Sequence, residues 1–221
     1  MSARVVPDDA EGRAAAIAAL RGGGIVALPT DTVYGIAVAL ETSGGIERLF
    51  RAKDRPPDRG IMLLLDDAAQ AATIGVIGPA ATALAAVLWP GGLTIVVPQR
   101  PDVPLPAVLT GGAPTIGLRV PDHAAPRALA AAVGPLPTTS ANVSGRPEAR
   151  DAAEILEQLR DAVDLILDGG PAHGGPPSTV VDCTGDVPVI LRAGAIPVGT
   201  LAAVLDAAGV SHELERDARV S

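Results

Sequence analysis

Hydroxyl and amide side chains are concentrated in one short stretch of the sequence, PTTSANVSG at residues 137–145. Side chains of these types hydrogen-bond phosphate, ribose or carboxylate groups, and Gly145 allows close approach to the backbone. A loop that leads into a helix would explain one or two of them as caps. There are five in seven positions, which is more than capping needs, so the stretch is a candidate binding segment. These residues are Thr138, Thr139, Ser140, Asn142 (the only asparagine of the chain) and Ser144.

The only lysine of the chain, Lys53, lies in a second candidate segment, RLFRAKDRPPDRG at residues 48–60. All the other members of the 17 basic residues are arginine, so a lysine in the sequence Lys-x-Arg-Pro is unusual here. An ammonium offers phosphate a point charge and a guanidinium offers it a planar fork. The alternative is a solvated helix end, where cations are favourable. We interpret Lys53 and Arg55 as part of an anion site.

Two further arginines follow apolar strand residues, Arg119 in TIGLRV and Arg192 in VPVILR. An unpaired charge at a buried strand position is costly. Arg119 therefore either meets an internal carboxylate or faces a ligand anion, and the sequence leaves both open. Two arginines at such positions in one domain favour an anionic ligand between them.

Two polar turns are more ambiguous. In LPTDTVYG, residues 28–35, Asp31 and Thr32 could cap a turn by bonding backbone amides. Alternatively, Thr30, Thr32 and Tyr34 could form a hydrogen-bonding wall for a small polar substrate. The Gly- and Pro-rich stretch at 168–177 leads into Ser178 and Thr179, and a structural hairpin is an equal alternative there. His173 in this stretch is expected to be a solvated loop residue.

The composition excludes several classes of protein. A chain of 221 residues with 48% hydrophobic and 19% charged residues folds around a core. Its net charge of −8 gives no general attraction to nucleic acid, so an anion site must be local. One cysteine and three scattered histidines do not predict a zinc site. No apolar run reaches the ~20 residues that span a bilayer and no signal peptide is recognisable, so we expect a cytoplasmic protein without membrane contact.

Apolar periodicity predicts alternating helices and strands, without a long linker or an internal repeat. This pattern predicts a single α/β domain over residues 1–210 with a mixed, twisted sheet, followed by a charged, disordered tail at 211–221. Helices are expected near 10–21, 43–53, 67–72, 79–89, 121–133, 151–160 and 200–208, and strands near 25–30, 61–65, 93–97, 115–120, 165–168, 178–182 and 187–192.

In this order, the segments PTDTVYG, KDRP, LWPGGLT, TIGLRVP, TTSANVSG, PSTVVD and LRAG resemble the YrdC/Sua5 family of L-threonylcarbamoyladenylate synthases. The resemblance covers roughly residues 10–205 and implies the short, single-domain form, an open twisted α/β sheet with flanking helices and a large concave cavity. The implied reaction condenses L-threonine, bicarbonate and ATP, with Mg²⁺, into threonylcarbamoyl-AMP and pyrophosphate. A separate transferase complex would then use the product to make N6-threonylcarbamoyladenosine in tRNA.

The resemblance also implies residue roles, carried over motif by motif. Lys53 and Arg55 would bind the triphosphate and act as the catalytic pair. Family members commonly have Pro-Leu, often preceded by Asn, shortly after the Lys-x-Arg-Pro segment, whereas this chain has Arg59, Gly60 and Ile61 there. Arg59 could take the polar contact normally made by that Asn. Mg²⁺ would be held mainly by the ATP phosphates, with no protein ligand. Threonine would contact Thr32, Arg119, Thr139, Ser178 and Thr179, and the nucleotide would also contact Thr115, Ser140, Asn142, Ser144 and Arg192.

Two other functions stay open at this point. A paralogue of the same fold without synthase activity could bind double-stranded RNA or tRNA, although the acidic chain argues against strong binding. A carbamoyltransferase domain of the hydrogenase-maturation type shares the fold, but it normally accompanies Cys-rich zinc fingers.

Overall fold

One open sheet of ten strands organises the part of the chain that the computed structural model describes, residues 3–56, 58–172 and 175–214. Its spatial order is β1-β8-β2-β3-β7-β4-β6-β5-β9-β10, with parallel and antiparallel neighbours mixed. The strands are β1 (Arg4–Pro7), β2 (Val26–Leu28), β3 (Gly35–Ala37), β4 (Met62–Leu64), β5 (Leu93–Pro98), β6 (Thr115–Arg119), β7 (Leu136–Ser140), β8 (Leu165–Asp168), β9 (Thr179–Asp182) and β10 (Val189–Arg192).

Helices pack on this sheet, and several of them begin after an aspartate that caps the helix N-terminus. Asp9 caps the first helix by accepting a hydrogen bond from the Gly12 amide at 2.8 Å, and Asp151 caps the seventh from the Glu154 amide at 2.9 Å. The helices are α1 (Ala10–Arg21), α2 (Gly45–Ala52), α3 (Ala68–Ala71), α4 (Pro79–Leu88), α5 (Ala107–Thr110), α6 (Ala124–Val133), α7 (Ala152–Leu159) and α8 (Val198–Ala207), with a 3-10 turn at Arg160–Ala162.

Neighbouring residues of each strand point to opposite faces of the sheet. In β4, Leu63 packs into the larger apolar cluster on one face, while Leu64 packs into a second cluster on the other face. Helices α1 and α6 cover part of that second face, over β8, β2, β7 and the end of β4. The remaining part of it, over β4, β6, β5 and β9, borders an open cavity.

The predicted fold class, a mixed open α/β sheet with flanking helices, is confirmed. Three strands were not predicted: β1, β3 and β7. The hydroxyl-rich stretch therefore begins as a strand, because Leu136–Ser140 pairs with β3 and β4. No helix of the described ranges is long and apolar enough to cross a bilayer.

The expected tail boundary at residue 211 differs from the structure. Leu214 is buried in the larger apolar cluster, and His212 lies 3.0 Å from the Asp206 carboxylate of α8. The chain is therefore packed at least as far as residue 214. Residues 215–221 and His173 lie outside the described residues.

Candidate active site

A cavity of about 320 Å³ lies on the open part of the sheet. Strand periodicity explains its lining. In β6, Thr115, Gly117 and Arg119 face the cavity. The intervening Ile116 and Leu118 pack in the larger apolar cluster on the other face, and Ile116 also borders the cavity. Strand β5 repeats the pattern with Thr94 and Val96. The cavity brings together eight of the predicted site residues: Thr32, Arg55, Thr115, Arg119, Thr139, Ser140, Ser178 and Arg192.

Arg119 is held in the wall of this cavity although it is only 1% exposed. Its Nη2 donates to Asp31 Oδ1 at 2.7 Å, its Nη1 to Thr32 Oγ1 at 3.0 Å and its Nε to the Gly91 carbonyl at 3.0 Å. Burial lowers the pKa of Arg119, Asp31 opposes that shift, and the charge of Arg192 lowers the pKa further. Arg119 thus meets an internal carboxylate, which is the first of the two alternatives that the sequence left open, and it also lines the cavity. Contact with a ligand anion, the second alternative, stays a prediction.

Arg192 lines the same cavity and is fixed by Ser178. Its Nε and Nη2 donate to the Ser178 carbonyl at 3.1 and 2.8 Å, and Nη2 also reaches Ser178 Oγ at 3.0 Å. The Ser178 hydroxyl is hydrogen-bonded to Thr94 Oγ1 at 2.9 Å. The charge of Arg192 lowers the pKa of Arg119, so the two guanidinium groups repel each other. An anion bound between them would relieve this repulsion and would be stabilised by both charges.

Arg55 organises the loop that follows α2. Its Nε donates to the Arg59 carbonyl at 3.0 Å and its Nη2 to the Gly60 carbonyl at 2.9 Å, and its guanidinium lies 5.7 Å from the centre of the Phe50 ring. A Cβ at Gly60 would lie 2.9 Å from the Thr110 backbone, so glycine allows the loop to pack on α5. The loop thereby presents the cation of Arg55 to the cavity.

Lys53 is buried behind the cavity and does not line it. Its Nζ donates to the Ser140 carbonyl, to the Asn142 carbonyl at 2.5 Å and to Asn142 Oδ1 at 2.9 Å. Its own carbonyl accepts a hydrogen bond from the Ser144 amide at 2.9 Å. Burial, and then the nearby Arg55 charge, lower the pKa of Lys53 to about 7. Lys53 therefore ties the end of α2 to the turn that follows β7.

Asn142 completes that turn from the inside. Its Oδ1 accepts from Ser140 Oγ at 2.6 Å, and its Nδ2 donates to the Arg146 carbonyl at 2.6 Å. A single amide can satisfy a hydroxyl, an ammonium and a backbone carbonyl at once. The unique asparagine and the unique lysine are thus direct partners, and together they set the position of Ser140, which does line the cavity.

Three other predicted contacts also lie away from the cavity. The Thr179 hydroxyl is fully buried, donates to the Ile196 carbonyl at 2.8 Å and accepts from the Ile196 amide at 2.9 Å. Ser144 and Arg59 are exposed and are not among the cavity residues. These three side chains stay outside the constellation in this structure.

In the turn LPTDTVYG, one threonine caps the turn and the other lines the cavity. Thr30 Oγ1 accepts from the Thr32 amide at 3.1 Å and donates to the Val33 carbonyl at 2.6 Å, so Thr30 caps the turn in place of the expected Asp31 and Thr32. The Tyr34 hydroxyl donates to the Gly170 carbonyl at 2.6 Å and accepts from the Gly169 amide at 3.0 Å. Of the three candidates, Thr32 faces the cavity.

Three residues that matter at the site were not singled out from the sequence as binding residues. Asp31 anchors Arg119, Thr94 supports Ser178, and Glu148 lines the cavity from the loop between β7 and α7. Thr94 could have been found from the alternation in LTIVV, where it is the polar position among apolar ones. Among the described residues, no group of three or more His, Cys, Asp or Glu side chains could hold a metal ion.

Most of the chain is similar in sequence to known proteins. A family model named for Sua5, YciO and YrdC, and described as telomere recombination, matches residues 18–194. The threonylcarbamoyl-AMP synthase of Bacillus subtilis is 37% identical over 196 residues, which make up 87% of this chain and 56% of that protein. This chain therefore spans little more than half of that relative.

Two solved structures resemble the fold closely. Pyrococcus abyssi Sua5 in complex with L-threonine superposes with a TM-score of 0.85 at 32% identity, covering 95% of this chain and 62% of that one. YciO of E. coli superposes with a TM-score of 0.80 at 30% identity, covering 90% of this chain and 98% of that one.

Proposed function

Since the chain belongs to the Sua5/YciO/YrdC family, we propose that it is a threonylcarbamoyl-AMP synthase. It would join L-threonine, bicarbonate and ATP into threonylcarbamoyl-AMP and release pyrophosphate. Two findings support the choice of substrates: the name of the Bacillus subtilis relative and the L-threonine complex of the Pyrococcus abyssi protein.

The observation that carries the proposal is a cationic cavity in an acidic protein. The chain has a net charge of −8, yet Arg55, Arg119 and Arg192 all line one cavity together with hydroxyl side chains. ATP and the threonine carboxylate are both anionic, and charge-assisted hydrogen bonds from arginine are among the stronger polar contacts. A cavity of this kind suits a reaction that brings two anionic substrates together.

The threonine side of the cavity is assigned to Arg119, Thr32 and Thr139. Three of the five N–H groups of Arg119 are used by its fixed partners, so two can donate to a carboxylate. The Ser178 hydroxyl, held by Thr94, would add a contact on this side. Preformed partners mean that Arg119 needs little rearrangement when the substrate binds.

The nucleotide side is assigned to Arg55, Arg192, Ser140 and Thr115. Lys53 and Asn142 would act here by holding Ser140 in place, rather than through contacts in the cavity itself. The charge of Lys53 would still favour a bound triphosphate nearby.

The chemistry needs positioning and charge neutralisation more than a nucleophilic side chain. The amine of threonine and bicarbonate give a carbamate, with loss of water. An oxygen of the carbamate attacks the α-phosphorus of ATP, the new P–O bond forms, and the bond to pyrophosphate breaks. The carbamate is already an anion, so no general base is assigned. The arginines would orient the reacting groups and stabilise the charge that develops on the leaving pyrophosphate.

Mg²⁺ is expected to accompany ATP. The residues present fit this group, because a cavity with three guanidinium groups and one carboxylate suits a magnesium–triphosphate complex. When bound, Mg²⁺ would neutralise charge on the phosphate oxygens. The product would pass to a transferase complex that modifies tRNA, and direct RNA binding by this chain is expected to be weak.

An omission experiment tests the proposal. Pyrophosphate release should require ATP, Mg²⁺, L-threonine and bicarbonate together, and leaving out any of them should abolish it. Release without threonine and bicarbonate would indicate a different nucleotidyl transfer. No release from the complete mixture would contradict the synthase assignment and favour a binding protein of the same fold.

A further inference from the structure

Glu148 occupies an unusual electrostatic position. It is half-buried in the loop between β7 and α7 and lines the cavity, where the other charged side chains of the described lining are Arg55, Arg119 and Arg192. Within the described ranges it makes no hydrogen bond or ion pair. Its neighbour Arg150 is engaged by Glu154 at 2.6 Å. A carboxylate is therefore available on the wall of a cavity that otherwise suits anions.

The influence of Glu148 falls on the side of the cavity assigned to the nucleotide. Its charge raises the pKa of Lys53 and of Arg192, against the lowering caused by their burial. Arg119 has Asp31 as its own carboxylate partner. Glu148 therefore faces the region proposed for ATP rather than the region proposed for the threonine carboxylate.

A bare carboxylate next to a triphosphate would oppose binding, since two negative charges close together repel each other. A divalent cation bound between the carboxylate and the triphosphate attracts both, so the carboxylate then favours binding. Mg²⁺ in nucleotide sites is commonly bound by one or two carboxylates together with phosphates and water. The lining of this cavity offers one carboxylate among its described residues.

We propose that Glu148 is a protein ligand, directly or through one water, of the Mg²⁺ that enters with ATP. The inference rests on the proposed function, because it requires a nucleotide in the cavity. It adds a protein contact to a metal ion that the sequence alone left to the phosphates. Glu148 would thereby favour the magnesium complex of ATP over metal-free ATP.

Calorimetric titration with a non-hydrolysable ATP analogue, with Mg²⁺ and with chelator, tests this without relying on turnover. The wild-type protein should bind the magnesium complex more tightly than the metal-free analogue. Glu148→Gln, which keeps the size of the side chain, should reduce that preference about 10-fold or more. It should not weaken binding of the metal-free analogue, because a repulsive charge has been removed. Glu157→Gln, at an exposed position on α7, is the matched control and should behave as wild type.

The outcomes separate the two proposals. If all proteins bind the analogue and Glu148→Gln retains the wild-type preference for the magnesium complex, the role of Glu148 is overturned and the proposed function stands. If the wild-type protein binds no nucleotide in either form, both are overturned. A lost preference in Glu148→Gln alone supports both.

Discussion

Arg119 and Asp31 form an ion pair with 2.7 Å between Nη2 and Oδ1, although 88 residues separate them in the sequence. The pair joins the end of β6 to the turn after β2 and leaves the guanidinium at the cavity wall. Breaking a buried pair by removing one partner costs about 3 kcal/mol or more. Asp31→Asn should therefore lower the free energy of unfolding by about 3 kcal/mol, because Arg119 keeps its charge without a counter-charge. Denaturant unfolding measures this.

A surface pair of similar geometry provides the control. Arg100 and Asp102 lie 2.6 Å apart, but their side chains are 41% and 64% exposed. Asp102→Asn should change the free energy of unfolding by less than about 1 kcal/mol, since exposed pairs contribute little. If Asp31→Asn also changed the free energy of unfolding by less than about 1 kcal/mol, the Asp31 contact would not be needed to hold Arg119.

The tie between Lys53 and the turn after β7 is tested by Lys53→Met, which keeps the aliphatic stem and removes the ammonium. The carbonyls of Ser140 and Asn142 lose their donor, and Ser140 loses one of the contacts that hold it in place. Pyrophosphate release should fall about 100-fold, a loss on the order of 3 kcal/mol of transition-state stabilisation. Arg51→Met, at an exposed cation of the same helix, should leave the rate unchanged. Near-wild-type turnover by Lys53→Met would remove Lys53 from the site.

Lys53 also makes stability depend on pH near neutrality. Its pKa is about 7 in the folded protein, against an ordinary value of 10.5. Above pH 7 the unfolded chain keeps a proton that the folded protein loses, so the free energy of unfolding rises with pH. The penalty of the buried ammonium is present below about pH 7 and is relieved towards 10.5.

The useful window lies below the ordinary pKa values of Cys183 and Tyr34, which are 9.0 and 10.0. Burial raises the pKa of each to about 12, so above those ordinary values both groups oppose the trend. Between about pH 7 and pH 8.5, wild type should gain stability relative to Lys53→Met. A difference that stays constant over this range would contradict the lowered pKa of Lys53.

Of two serines in the predicted site, Ser178 should matter for turnover and Ser144 should not. Ser178 Oγ lies at the cavity between Thr94 and Arg192, so Ser178→Ala should lower kcat/KM for L-threonine about 10-fold or more. Ser144 is exposed outside the cavity, and Ser144→Ala should stay close to wild type. Steady-state kinetics with threonine varied distinguishes them. The reverse order of effects would contradict the cavity as the reaction site.

Strands with a continuous apolar run were predicted from the sequence, and a strand made of hydroxyl side chains was not. The apolar runs in LTIVV and TIGLRV placed β5 and β6 correctly. That Arg119 and Thr115 face the cavity comes from the structure. Strand β7 was missed because hydroxyls fill strand positions that usually carry apolar side chains. Its identity comes from pairing with β3 and β4, which lie far away in sequence.

The candidate site was predictable to a similar degree. Lys53 and Asn142 stood out in the sequence because each is the only residue of its type, and the structure shows them in direct contact. Their rarity could not indicate that both lie behind the cavity, because the burial of Lys53 depends on oxygen acceptors of Ser140 and Asn142, which are 87 and 89 residues away in the sequence. Glu148 carries no local signal, since its significance comes from arginines on other elements.

Isotope incorporation tests the central claim most directly. The protein would be incubated with ATP, Mg²⁺, L-threonine and ¹³C-labelled bicarbonate, and the nucleotide products would be analysed by mass spectrometry. Our account predicts threonylcarbamoyl-AMP with the label in its carbamoyl carbon, formed in step with pyrophosphate. Pyrophosphate without a labelled threonine–AMP conjugate, or no turnover of ATP at all, would contradict it.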